Sequence, residues 1–357
     1  MAMSSPHLLY AFLACACSHY GRLREDLSGD LAKSVTKFTN AALNGLRKAM
    51  SDPKKANRPE TLTTALALCT SDVINGGMNS WRIHLSGASN LVTSVFALQG
   101  DADSLKTDDP TKLFLVKWFA LLDIFAGVSG LHTSSNAEGS YWSLPTTNDA
   151  HGYIDEWTGY AWELIPIMSQ IGRMAIVQRN AMQVISLDAD ADDIPDTGAD
   201  PAEIQHLEDQ IYALYDRTTN PDLERNPATK KMAEEMQHIH RAFLYTSLLH
   251  LYSRVQCLPK DHTKPAHAIH MVIEMLQKIP LDSMSNILTL WPVFTVGCET
   301  EDPVQRKIIR GRLAVMEPYG MGNVQSARKA MTEYWDSGAT ERWDIFLEKR
   351  GFDLTMF

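Results

Sequence analysis

Ten consecutive residues limit what this chain can become more than any other part of it. Leu290-Trp291-Pro292-Val293-Phe294-Thr295-Val296-Gly297-Cys298-Glu299 is apolar almost without a break, then stops at Thr300-Glu301-Asp302-Pro303. Asp is a good helix cap, and Pro fits the first helical position without losing a needed N–H. A segment that must be buried therefore hands over at Asp302 and Pro303 to an amphipathic one. Val304, Ile308, Ile309, Leu313 and Met316 recur at helical spacing, Gly320-Met321-Gly322-Asn323 interrupts them, and Val324, Ala327, Met331, Tyr334 and Trp335 resume it. The pattern predicts a helical hairpin inside the core.

The same period runs through the rest of the chain. It predicts helices over residues 8–17, 31–50, 62–73, 81–95, 111–129, 157–185, 202–215, 232–255 and 265–279, with Pro166 kinking the start of its helix. In the helix from Trp81, the residues Leu85, Ala88, Leu91, Val92 and Val95 share one stripe, and Gly87 and Ala88 are small enough to admit a neighbouring helix. Residues 51–60, 131–151, 188–201 and 216–229 read as polar connections. No segment alternates with period two between turn pairs, so no sheet is expected. The fold class is all-α: one large domain over 1–357, of about ten to twelve helices with orthogonal or solenoid-like packing.

Hydrophobic residues make up 45% of the chain and charged residues 21%, enough for a sizeable core. Acidic residues outnumber basic ones by 43 to 33, and the net charge of −10 repels phosphate, so this chain is not expected to bind DNA by itself. Cys15, Cys17, Cys69, Cys257 and Cys298 are odd in number and lack the paired spacing of a zinc site. They read as reduced thiols. The apolar run 8–17 lacks a basic leader, and no run reaches the ~20 residues of a membrane span, so no membrane partner is expected.

Candidate chemistry is sparse. Asp192-Asp193-Ile194-Pro195-Asp196 matches the D-D-x-x-D motif with which all-α terpene synthases hold magnesium against a diphosphate. Pro195 breaks the helix such a motif needs, and the surroundings lack the Arg and Lys that a diphosphate requires. A second metal motif at Asn148-Asp149 and Glu156 is incomplete at Gly152. Asp188, Asp190 and Asp192 begin like a calcium loop, but Asp193 and Ala199 replace its Gly and Glu. A solvated acidic connection accounts for all of them. His238 and His240, two apart on a helix, face different ways and cannot share an ion. No nucleophile elbow, phosphate loop or dinucleotide fingerprint is present, and no enzyme is expected.

The run Leu-Trp-Pro-x-Phe-x-x-Gly-Cys-Glu, the helix bearing Arg306, Arg310 and Arg312, the Gly-containing turn and the helix ending at Trp335 together resemble the regulatory domain of fungal zinc-cluster transcription factors, in their sterol-regulator-like subgroup. The likeness continues at Trp81-Arg82-Ile83-His84-Leu85-Ser86-Gly87-Ala88, over residues 242–259, at Trp343-Asp344-Ile345-Phe346, and at Ser5-Pro6-His7-Leu8-Leu9, where the regulatory domain would begin. It implies a nuclear regulator of transcription by RNA polymerase II that contacts DNA only through a zinc-cluster module outside this chain, with no cofactor here and zinc confined to that module. It also implies an apolar small-molecule effector, a homodimer, and coactivators or repressors as partners.

Sixteen Met and many aromatic residues suit a reshapeable apolar cavity. Its expected walls are Trp291, Phe294, Met316, Met321, Phe243 and Tyr245, with Gly320 and Gly322 as a hinge between two core helices. A terpene-synthase-like enzyme and a purely structural interaction domain are the alternatives.

Overall fold

The computed structural model describes residues 2–25, 28–76, 80–95, 109–128, 152–185 and 199–356. The aspartate motif at 188–196 and Asn148-Asp149 lie outside them. Among the described residues there are fifteen α-helices and no strand, only the isolated bridges Tyr153 to Thr218 and Ile154 to Ala161. In chain order the helices are α1 (Pro6–Leu23), α2 (Gly29–Met50), α3 (Pro53–Ala56), α4 (Pro59–Ile74), α5 (Ser80–Val95), α6 (Pro110–Val128), α7 (Leu164–Ile185) and α8 (Pro201–Ala213). There follow α9 (Pro221–Arg225), α10 (Pro227–His250), α11 (Thr263–Lys278), α12 (Leu290–Glu299), α13 (Pro303–Met316), α14 (Gly322–Ser337) and α15 (Trp343–Lys349).

Fifteen exceeds the expected ten to twelve for local reasons. The short helices α3 and α9 fall in stretches that read as loops. Each is made by a cap followed by Pro: Asp52 accepts from Lys54 N at 3.0 Å and Asn220 from Asp222 N at 3.0 Å. A helix of four or five residues shows no periodicity to detect.

Residues 157–163 read as helix but are not. Asp155 Oδ1 takes the N–H groups of Trp157 and Thr158, each at 3.1 Å, and Gly159 adopts φ +79°, so the chain turns there and α7 starts only at Leu164. Pro166 falls in the first turn of α7, where its missing N–H costs nothing.

Packing is mainly between chain neighbours: α1 with α2, α4 with α5, α6 with α7, α10 with α11. The apolar run is the hub. All ten residues of α12 are buried, and it touches α10, α11, α13 and α14. Asp302 caps α13 as its sequence indicates, accepting from Val304 N at 2.7 Å. Farther off, His240 ties α10 to two other segments, donating from Nε2 to Leu214 O at 2.8 Å and accepting at Nδ1 from Ala161 N at 3.3 Å. Burial lowers its pKa to about 4, so it is neutral, as this bonding pattern requires. The C-terminal tail docks on α5 through Arg82 Nε and Asp353 Oδ2, 2.5 Å apart.

The turn proposed as a hinge is held by contact on both sides. Gly320 has φ +68°, and a Cβ there would lie 3.0 Å from Leu23 Cδ2. At Gly322 a Cβ would lie 2.7 Å from the carbonyl carbon of Asn75, whose own side chain and carbonyl are bound by Ser18 and Arg22. Gly322 is thus the point where α14 closes onto the end of α4. Gly87, in contrast, meets no neighbouring helix among the described residues: a Cβ there has nothing within 4 Å, and the buried small residue is Ala88.

These two glycines should respond oppositely to the same substitution. Gly322→Ala is expected to destabilise the chain by about 1–3 kcal/mol through overpacking against backbone. Gly87→Ala should stabilise it by about 0.4–1 kcal/mol by restricting the unfolded chain. Urea unfolding of the two variants beside the parent checks both signs.

Candidate functional site

Toward its end α10 runs into a π turn, Leu251–Val255, and the chain leaves it through Cys257 in the left-handed region at φ +53°. The turn delivers Arg254 into the core with 1% of its surface exposed. Arg254 Nε lies 3.3 Å from Asp344 Oδ2, and Nη1 donates to Val128 O and to His250 Nδ1, both at 2.9 Å. Asp344, at the start of α15, is fully buried and takes a second guanidinium: Arg342 donates from Nη2 at 2.6 Å and from Nε at 3.1 Å. Arg342 Nη1 in turn donates to Arg254 O at 3.1 Å.

The protonation of this group follows from its neighbours. Burial alone would raise the pKa of Asp344, but Arg254 and Arg342 overcome it and hold the carboxyl at about 2. Burial and then the positive charge of Arg254 push His250 well below its usual value. Neutral His250 accepts from Arg254 and donates from Nε2 to Thr295 Oγ1 at 3.0 Å, with its ring stacked on Trp291 at 5.1 Å. Trp343 Nε1 donates to Glu299 Oε1 at 2.8 Å. Burial raises the pKa of Glu299, opposed by the Trp343 hydrogen bond, Ser253 and the charge of Lys260.

Above this floor lies a cleft of about 830 Å³. Ser253, Glu299, Arg342 and Trp343 form its base, residues 257–261 one bank and residues 338–341 the other. Lys260 Nζ stands 3.3 Å from Glu301 Oε1 and 3.5 Å from Tyr334 Oη. Trp335 is flanked by the guanidinium groups of Arg306 and Arg310, 5.1 and 4.9 Å from its ring, and its Nε1 donates to Gly297 O at 2.8 Å. The lining combines aromatic faces with paired charges, which suits a small molecule with an apolar body and a hydrogen-bonding group. Among the described residues no cluster of three His, Cys, Asp or Glu could hold a metal ion.

The six expected wall residues do not gather here. Phe243 and Trp291 meet each other at 5.3 Å, with Tyr160 stacked on Phe243 at 4.3 Å and Phe125 edge-on to Trp291 at 6.1 Å. Their rings pack on one another between the helices. Phe294 packs edge-on against Trp343 at 5.5 Å, on the core side of the cleft floor. Met316 is fully buried, Met321 is half-buried against the core, and Tyr245 stands apart against Tyr215 and His267. None of the six lines the cleft. The cleft and the network beneath it carried a sequence signal: Glu299 of the floor and Arg254 below it are ionisable residues embedded in apolar runs, where a charge needs a partner.

The buried carboxylate gives a direct test. Asp344→Asn strands two guanidinium groups and should cost roughly 3–5 kcal/mol. Because the pKa of Asp344 is depressed on folding, its contribution is complete above about pH 3.8 and is lost as the pH falls towards 2. Chemical unfolding of parent and variant along a descending pH series should therefore show the difference between them shrinking at the acid end.

The chain is 22% identical over 306 residues to the acriflavine sensitivity control protein acr-2 of Neurospora crassa, an alignment covering 82% of this chain and 49% of that protein. It is 21% identical over 344 residues to the transcriptional regulatory protein C965.10 of Schizosaccharomyces pombe, covering 94% of this chain and 60% of that protein. The chain thus spans between half and three-fifths of the length of these relatives. No solved structure matches it. The fungal specific transcription factor domain matches residues 1–357, and the chain belongs to that family.

Proposed function

We propose that this chain is the effector-sensing regulatory part of a nuclear transcription factor acting on RNA polymerase II genes, and that the cleft over Glu299, Arg342 and Trp343 is where the effector binds. One observation carries the reading: Arg342, Trp343 and Glu299 belong both to the floor of the cleft and to the contacts that hold α15. A molecule seated there touches Trp343 and Arg342 and favours whichever arrangement of α15 it fits better, a population shift that coactivators or repressors can read. The polar half of the lining moves the expected effector from purely apolar to amphiphilic. The Neurospora relative is named for control of sensitivity to acriflavine, a small molecule, and an input of that kind suits such a cleft. DNA contact is assigned to a zinc-cluster module outside this chain, in keeping with the chain's net charge of −10.

A structural interaction domain with no effector is the second reading, favoured by the close ring packing around Phe243 and Trp291. The terpene-synthase alternative loses its support, because the family is one of transcription factors and the Schizosaccharomyces relative is named as a transcriptional regulatory protein.

A thermal-shift screen of amphiphilic and aromatic metabolites separates the first two. A ligand at a hundredfold excess over its Kd adds about 2.7 kcal/mol of stability. Thr340→Trp, which fills the cleft from an exposed position, should abolish that response and leave the unliganded fold intact. An absence of hits, or a hit indifferent to Thr340→Trp, overturns the assignment of the effector to this cleft.

A further inference from the structure

Residues 352–356 form no helix, yet all five are buried. They lie at the seam where α14 closes onto the end of α4. One fastening there is direct: Asp353 takes Arg82 of α5 with both carboxylate oxygens, Nε to Oδ2 at 2.5 Å and Nη2 to Oδ1 at 2.6 Å. The Arg82 guanidinium in turn lies 4.3 Å from the ring of Trp81.

Two polar groups at this seam are left over. Trp81 Nε1 and Thr355 Oγ1, on residues 1% and 5% exposed, have no hydrogen-bond partner among the described residues and are not bonded to each other. Such groups are rare in folded chains, because each has given up its bonds to water and gained none in return. Trp81 and Thr355 line one cavity of about 10 Å³, with Asn323 and Ser326 of α14 and Asp353 on the same wall. That is room for one water molecule. The wall also selects the kind of occupant. An indole N–H only donates, so the occupant must accept, which excludes a metal or ammonium ion. The Asp353 carboxylate disfavours an anion. What fits is small, neutral and able both to accept and to donate.

We propose that this cavity is a binding site for a single water molecule, which accepts from Trp81 Nε1, bonds Thr355 Oγ1 and so provides the second fastening of segment 352–356 to α5. An ordered buried water needs two to four polar partners. Trp81 and Thr355 supply two, and Asn323 and Ser326 stand within the same cavity. The water sits where α4, α5, α14 and the docked segment meet, so it joins parts of the chain more than 200 residues apart in sequence, as the Arg82–Asp353 pair does across 271. The proposal is independent of the effector cleft.

Two measurements test it. A crystal structure of the chain that shows ordered water should place one molecule about 2.7–3.2 Å from both Trp81 Nε1 and Thr355 Oγ1. In urea unfolding, Trp81→Phe and Thr355→Val should each lower the folded-to-unfolded ratio by about tenfold or more. The double variant should lose much less than the product of the two losses, because the second change removes a bridge the first has already broken. Thr355→Ser, which keeps the hydroxyl, should retain most of the parent's ratio. A direct bond from Trp81 Nε1 to a protein atom, a side chain filling the cavity, or a double variant that loses the full product overturns the proposal. Should Trp81→Phe fail to fold, the parent crystal structure and Thr355→Val still decide, and a Thr355→Val chain as stable as the parent overturns it.

Discussion

Asp344 is a carboxylate with no access to water, and much of the C-terminal half of the molecule depends on its position. Taking a charge of that kind out of water costs several kcal/mol, recovered only where the geometry is good and the partners are fixed. Here the partners come from two stretches far apart in the chain: Arg342 from the loop before α15, Arg254 from the π turn that ends α10. Two guanidinium groups on one carboxylate leave the cluster net positive, and neutral His250 absorbs part of the excess by accepting from Arg254. Apolar residues in these places could give equal stability. They would not require α15 to sit in one place, whereas a buried charge without its partners is penalised wherever else the helix goes.

That requirement links the core to the cleft. Trp291 and Thr295 of α12 hold His250, His250 orients Arg254, Arg254 and Arg342 fix Asp344, and Trp343 beside it reaches back to Glu299 at the end of α12. The chain of contacts begins and ends on α12, every residue of which is buried. A ligand resting on Trp343 and Arg342 thus meets groups with few alternative positions, the condition under which a small differential affinity selects between whole arrangements instead of being dissipated locally.

Much of the fold was legible in the sequence because long amphipathic helices announce themselves by period. The core hairpin of α12, α13 and α14, the cap at Asp302 and the buried run at 290–299 were all readable from spacing and capping chemistry. Helices α3 and α9 were not, being shorter than two turns, and residues 157–163 lost their apparent helix to the turn that Asp155 organises. The cleft and the buried ion network beneath it were the least legible parts. Arg254 and Asp344 are 90 residues apart, and no local pattern pairs them. The aromatic residues nearest the central run were legible as buried, but burial does not distinguish a wall from a filling: Phe243 packs on both Trp291 and Tyr160, and only coordinates show which rings face one another.

The central claim is that α15 is locked to α12 through buried charge and opens only when the core does. Native-state hydrogen exchange read by mass spectrometry measures this directly, because each segment's protection reports the free energy of the opening that exposes it. The account predicts that peptides covering 343–349 and 290–299 share the same high protection and the same denaturant dependence, as one cooperative unit. If residues 343–349 instead exchange through small openings insensitive to denaturant while 290–299 stays protected, the ion network does not fasten the helix and the account is contradicted.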